Sequence, residues 1–154
     1  IKNIDYTNYE EGIYVGYRYF NTFRKKAIAY PFGHGLSYTD FGFDQMVVEE
    51  AEGGWKVQVR VTNKGEVAGK DVVQLYVKAP RKGLDKPERE LKGFAKTPVL
   101  APGESYVAEI FISKESLASF DEAAGAWRLE PGTYTFIAAQ NSLDNSQKTK
   151  VHIR

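Results

Sequence analysis

Between Trp55 and Thr62 apolar and polar residues alternate without a break: Trp55, Val57, Val59 and Val61 fall on one face, and Lys56, Gln58, Arg60 and Thr62 on the other. A period of two is the signature of a strand with one buried and one wet face, and it is incompatible with a helix. The turn-forming Gly53-Gly54 precedes this run and Asn63-Lys64-Gly65 follows it, so Met46 to Glu52 reads as the first arm of a hairpin. Asp71 to Lys78 is apolar on both faces in part, which suits a central strand whose outer side is covered by something. It stops at Ala79-Pro80.

Further strands are expected at Glu90 to Thr97, Tyr106 to Ile112, Trp127 to Glu130, Thr133 to Gln140 and Lys148 to Ile153, separated by turn signals such as Pro98 to Gly103 and Pro131-Gly132. Ser113, as an N-cap with Ser116 three residues later, predicts about one helical turn before Phe120. Arg81 to Glu88 is charged, contains Gly83 and Pro87, and reads as a long exposed loop. Short sequential strands without alternating helices predict an all-β, immunoglobulin-like or fibronectin type III-like antiparallel sandwich of seven or eight strands over residues 41–154. Residues 1–40 differ: Tyr9 to Phe20 is rich in aromatics and glycine, and Ala27 to Thr39 has no regular period. This stretch reads as an extended N-terminal arm made to lie against another domain.

Composition removes several function classes. The chain of 154 residues has no cysteine, which rules out a disulfide framework, a thiolate nucleophile and a sulfur-ligated metal. Its formal charge of +1 supplies no field for nucleic acid or an acidic membrane. No run approaches the roughly 20 apolar residues that span a bilayer, and Ile1-Lys2-Asn3-Ile4-Asp5 lacks a signal-peptide core. Without an initiator Met the chain reads as a piece of a longer one, so the compartment, cytoplasmic or secreted, stays open.

Candidate chemistry is sparse. The adjacent carboxylates Glu10-Glu11, Glu49-Glu50 and Asp121-Glu122 point to opposite faces if they lie on strands, so they do not converge on one bond. His34, between Gly33 and Gly35, and His152 have no carboxylate at a recurring metal spacing, and neither a metal nor a cofactor is implied. Ser37 is not in a nucleophile elbow.

Several segments carry a family resemblance. Tyr9 to Phe20 (Y-E-E-G-I-Y-V-G-Y-R-Y-F), Tyr30 to Phe41 (Y-P-F-G-H-G-L-S-Y-T-D-F), Ala68 to Val77 (A-G-K-D-V-V-Q-L-Y-V), Glu90 to Phe94 (E-L-K-G-F) and Trp127 to Tyr134 (W-R-L-E-P-G-T-Y) occur in this order. Together they resemble the C-terminal part of glycoside hydrolase family 3: the end of its α/β sandwich domain, the linker, and the fibronectin type III-like domain. The resemblance implies a parent that removes terminal β-linked glucosyl residues with retention of configuration. Its Asp nucleophile and Glu acid/base belong to other domains, and neither motif is present. Retaining hydrolysis needs two carboxyl groups about 5 Å apart across the scissile bond, so no catalytic residue is assigned.

The partners implied are the parent's catalytic domains. Tyr14, Tyr17, Arg18, Tyr19, Phe20 and His34 are the candidates for an interdomain contact or a substrate rim. His34 departs from the aromatic residue common in the family. Two other roles stay open: a carbohydrate-binding module holding a β-linked oligosaccharide near the parent's active site, and a free-standing adhesion sandwich.

Overall fold

The computed structural model describes residues 10–154; the first nine residues of the expected arm, Tyr9 included, lie outside the described residues. The strands are β1 (Phe41–Ala51), β2 (Gly54–Asn63), β3 (Val72–Lys78), β4 (Glu90–Lys96), β5 (Ser105–Ser113), β6 (Ser119–Asp121), β7 (Ala126–Arg128), β8 (Gly132–Ala139) and β9 (Gln147–Ile153). Seven of them form two antiparallel sheets in the orders β1-β2-β5 and β4-β3-β8-β9, while β6 and β7 make a separate hairpin. All eight expected strands are present, and β6 is additional.

The apolar face of β2 meets the inward face of the other sheet. Trp55, Val57, Val59 and Val61 pack in one core with Val73, Leu75 and Val77 of β3, Ala108, Ile110 and Ile112 of β5, and Tyr134, Phe136 and Ala138 of β8. The Trp55 and Phe136 rings lie 6.2 Å apart, bridging the two sheets. Tyr134 is fully buried, and its hydroxyl donates to the Glu130 carbonyl at 2.9 Å. A buried tyrosine early in a strand that reaches back to upstream backbone is a recurrent corner device of immunoglobulin-like sandwiches.

Local chemistry places the turns. Gly53 takes φ 74 between β1 and β2. At Gly54 a Cβ would overlap the Ile112 backbone, so β2 approaches β5 this closely only without a side chain there. Ser113 caps the single-turn helix α2 (Lys114–Leu117), its Oγ accepting the Ser116 N–H at 3.2 Å. That helix ends at Leu117, and Phe120 belongs to β6.

The arm departs from the extended form expected of it: Tyr17–Phe23 is a two-turn helix, α1, followed by a 3₁₀ turn at Lys25–Ala27. Tyr17 and Leu91 then pack on Tyr76, Ile137 and Ala139 on the outer face of the β4-β3-β8-β9 sheet. Part of the arm is thus the cover that the two-sided apolar pattern of β3 calls for.

Leu75 is fully buried on the central strand between both sheets. Replacing it with Ala is expected to lower the unfolding free energy by about 3 kcal/mol, read as a shift of the urea midpoint at unchanged slope.

Candidate functional site

The face that the sequence singles out is built by the arm. Gly16 has φ 59, which breaks the chain before α1 and is the conformation glycine tolerates best. From there α1 splits into two sides. Tyr17 and Asn21, four residues apart, turn toward the sandwich, whereas Tyr19, Phe20 and Phe23 remain substantially exposed.

The inward side is held by specific bonds. Tyr17 Oη accepts the Leu91 N–H of β4 at 2.8 Å; its ring stacks on Phe32 at 4.9 Å and meets the Tyr76 ring edge-on at 6.1 Å. Asn21 is buried and donates from Nδ2 to the Ser142 carbonyl at 2.8 Å. Thr22 Oγ1 accepts the Glu88 N–H at 2.9 Å, and Arg18 Nη2 lies 3.2 Å from Glu90 Oε1. Tyr14 donates to Asp85 Oδ1 at 2.6 Å; burial and this bond push its phenol up to about 12.

Farther along, the Phe32 carbonyl accepts the Ser142 N–H at 2.8 Å, and the Gly33 carbonyl accepts from Gln74 Nε2 at 3.3 Å. Gly33 has φ 82 and a Cβ there would overlap the Gln74 amide, so both conformation and space demand glycine.

The charged stretch after β3 is the other half of this contact, and it is not the solvated loop that its composition suggests. Lys86 and Arg89 are buried. Lys86 Nζ pairs with Glu130 Oε2 and also reaches the Pro80 carbonyl. Burial opposes the charge on Glu130, but hydrogen bonds from Lys86 and the Leu84 N–H, with the nearby Arg128, outweigh it and hold the carboxyl below its ordinary value. Arg89 donates to the Asp144 carbonyl and to Asn145 Oδ1 at 2.7 and 2.8 Å. Glu88 is likewise held below its usual value: burial acts against its charge, and Lys78 at 2.8 Å, Lys25 and Arg81 prevail.

Of the six residues singled out in the sequence, Tyr14, Tyr17 and Arg18 contact the sandwich, and Tyr19 and Phe20 face outward. His34 is exposed; its N–H donates to the Pro31 carbonyl at 3.0 Å, its ring lies 5.5 Å from Tyr30, and it lines a groove with Ser37, Asp71 and Gln140. His152 lines a different groove, beside Trp55 and Lys114. Among the adjacent carboxylates, Asp121 serves local structure: it accepts the Ala123 and Ala124 N–H groups and pairs with Arg128 at 3.0 Å. Sequence reasoning passed over Asn21, Thr22 and Lys86; the Tyr17/Asn21 and Arg18/Thr22 spacings of four are the signal that marks the first two.

The family described as a fibronectin type III-like domain matches residues 71–142, which run from the start of β3 to the loop after β8. A β-glucosidase of Ruminococcus albus is 43% identical over 144 residues, covering 90% of this chain and 15% of that protein. Thermostable β-glucosidase B of Acetivibrio thermocellus is 37% identical, covering 97% of this chain and 20% of its own length. The structure of β-glucosidase 3B from Thermotoga neapolitana superposes with TM-score 0.87 at 43% identity, over 94% of this chain and 20% of that one. That of the glycoside hydrolase family 3 β-glucosidase of Bifidobacterium adolescentis gives 0.86 at 35% identity.

The chain corresponds to the C-terminal region of the glycoside hydrolase family 3 β-glucosidases. This region spans only 15% to 20% of those two curated relatives. The matched span of more than nine tenths in the family 3 structures takes in most of the arm as well as the sandwich.

The Lys86–Glu130 pair gives the family 3 region a pH dependence of defined sign. A carboxyl with a folded-state value below its unfolded one, about 4.3, contributes stability that is present above that value and lost as pH falls through the folded value. Glu130→Gln leaves Lys86 buried without a counter-charge and is expected to cost about 3 kcal/mol at pH 7. The gap from the parent sequence should narrow as the pH falls below the ordinary carboxyl value of about 4.3 and wild-type Glu130 takes up its proton, in urea unfolding at a series of acidic pH values.

Proposed function

We propose that this region is a non-catalytic, interdomain-stabilising unit of a retaining β-glucosidase, and that the parent enzyme hydrolyses terminal β-D-glucosyl residues. Residues 1–40 act as the arm and linker from a preceding α/β sandwich domain, and residues 41–154 as the fibronectin type III-like domain. The observation that carries this reading is the two-sided arm. Its inner side is bonded to the sandwich through Tyr17, Asn21 and Thr22, while Leu36 and Tyr38 are 97% and 98% exposed and Val15 and Phe23 more than half exposed. Apolar surface gathered on one short segment marks an interaction site. The relatives have about four fifths or more of their length outside this region, which supplies candidates to cover it.

In this reading Tyr14, Tyr17 and Arg18 seat the arm on the sandwich, Tyr19 and Phe20 face the neighbouring domain, and His34 stands at its rim. Burying one such apolar side chain contributes about 1.5–3 kcal/mol. In a complete family 3 β-glucosidase carrying this region, Leu36→Ser with Tyr38→Ser is therefore expected to speed thermal inactivation and to weaken domain association by about 2 kcal/mol or more. The pair should leave the melting temperature of the 154-residue chain unchanged. Unaltered inactivation of the complete enzyme, or hydrolysis of an aryl β-glucoside by this chain at the rate of a complete enzyme, would overturn the proposal.

A further inference from the structure

Three of the four edges of the two main sheets carry a device that discourages another strand from pairing. On β1 the Phe41 and Phe43 carbonyls take the Gln140 and Gln147 amides at 3.3 and 3.0 Å, and the register slips between Asp44 and Val47. On β4 the Leu91 N–H is held by the Tyr17 hydroxyl, and the strand carries Lys92 and Lys96. β9 carries Lys148 and Lys150. Lysines, bulges and covered backbone groups are how sheets protect their edges. The fourth edge, β5, has none of these: Ser105–Ser113 contains no Lys, Arg, Pro or Gly, and it runs in unbroken register against β2.

Hydrogen-bond parity fixes which groups of β5 are free. The Asn63 N–H donates to the Glu104 carbonyl at 3.0 Å and the Lys114 N–H to the Gly53 carbonyl at 2.9 Å. Bonded residues alternate along an antiparallel pair, so Tyr106, Ala108, Ile110 and Ile112 bond to β2, and the backbone groups of Ser105, Val107, Glu109 and Phe111 point away from it. Among the described residues none of those outward groups has a partner. Val107 and Phe111 are 48% and 55% exposed on the same solvent face. Glu109, the one charge on the strand, is turned back onto its own sheet by Lys56 at 2.7 Å and by Gln58, which leaves the edge itself without a free charge.

We propose that β5 pairs, antiparallel and edge to edge, with β5 of a second copy of this chain. A two-fold axis beside Ala108 sets Val107 against Glu109 of the second copy and Ser105 against its Phe111. This register satisfies all of the outward groups and keeps the two Glu109 carboxylates off the same row. The two-fold makes the edge its own complement, and a formal charge of +1 gives two copies little reason to repel. The arm lies on the outer face of the other sheet, so this pairing and the contact with a neighbouring domain use different surfaces.

The test is sedimentation equilibrium of the chain from about 10 µM to about 1 mM, with amide hydrogen exchange at both ends of that range. The expected weight-average mass climbs from 17.3 kDa toward twice that value. Exchange should slow with concentration at Val107, Glu109 and Phe111, while Ala108 and Ile110 are protected throughout. Val107→Glu sets like charges opposite each other twice across the axis. It is expected to weaken the dimer about ten-fold at an unchanged melting temperature of the dilute chain. Leu36→Ser with Tyr38→Ser should leave the dimer intact. A complete family 3 enzyme carrying this region is expected to pair through the same edge. An unchanging mass, or self-association that the Leu36 and Tyr38 changes remove and Val107→Glu spares, would overturn the proposal. So would a complete enzyme that stays single, because its own domains would then cover β5.

Discussion

The outer face of β3 is the constraint around which the molecule is organised. A strand at the centre of a sheet normally shows one apolar face to the core and one polar face to water, but Val73 through Val77 are buried on both sides. Tyr76 and Gln74 therefore have to be covered and their polar atoms satisfied. Tyr76 donates to Gln74 Oε1 at 2.6 Å, Gln74 Nε2 bonds to the carbonyls of Gln140 and Gly33, and the Tyr17 ring closes over the phenol. Arg89 lies 6.0 Å from the Tyr76 ring centroid on the same face. Remove the arm, and the Tyr76 ring loses its Tyr17 cover while the Gln74 amide loses its bond to the Gly33 carbonyl.

That requirement explains the charged loop between β3 and β4. Its acidic groups face the arm: Asp85 takes the Tyr14 hydroxyl, Glu88 faces Lys25, and Glu90, at the start of β4, meets Arg18. Its buried cations are tied to the body behind, Lys86 to Glu130 and Arg89 to the loop after β8. Breaking a buried pair costs far more than the pair itself contributes, so the loop works chiefly as a positioning device for the arm.

The sandwich was legible because alternation and turn chemistry are local signals. Trp55 to Val61 announced their own face, and Ser113 announced its helix. What was not legible depended on partners distant in sequence. Lys86 and Arg89 look like solvated charges until residues 44 and 55 positions away are brought beside them. Helix α1 escaped notice because its outward side, Tyr19, Phe20 and Phe23, is as aromatic as its inward side, which erases the polar stripe that marks an amphipathic helix. Strand β6 has only three residues, too few for a period. The bond that ties the arm to the loop after β8 joins Asn21 and Ser142, 121 positions apart.

The arm's anchors are distributed across the width of a sheet. Tyr17 holds the edge strand β4, Gly33 holds the centre at Gln74, and Asn21 and Phe32 hold the connection leaving β8. A pull on the arm is consequently shared among attachments lying side by side and does not strip them one after another like a zipper. Load applied to the arm would pass into the middle of the sandwich, spread as across a rivet plate.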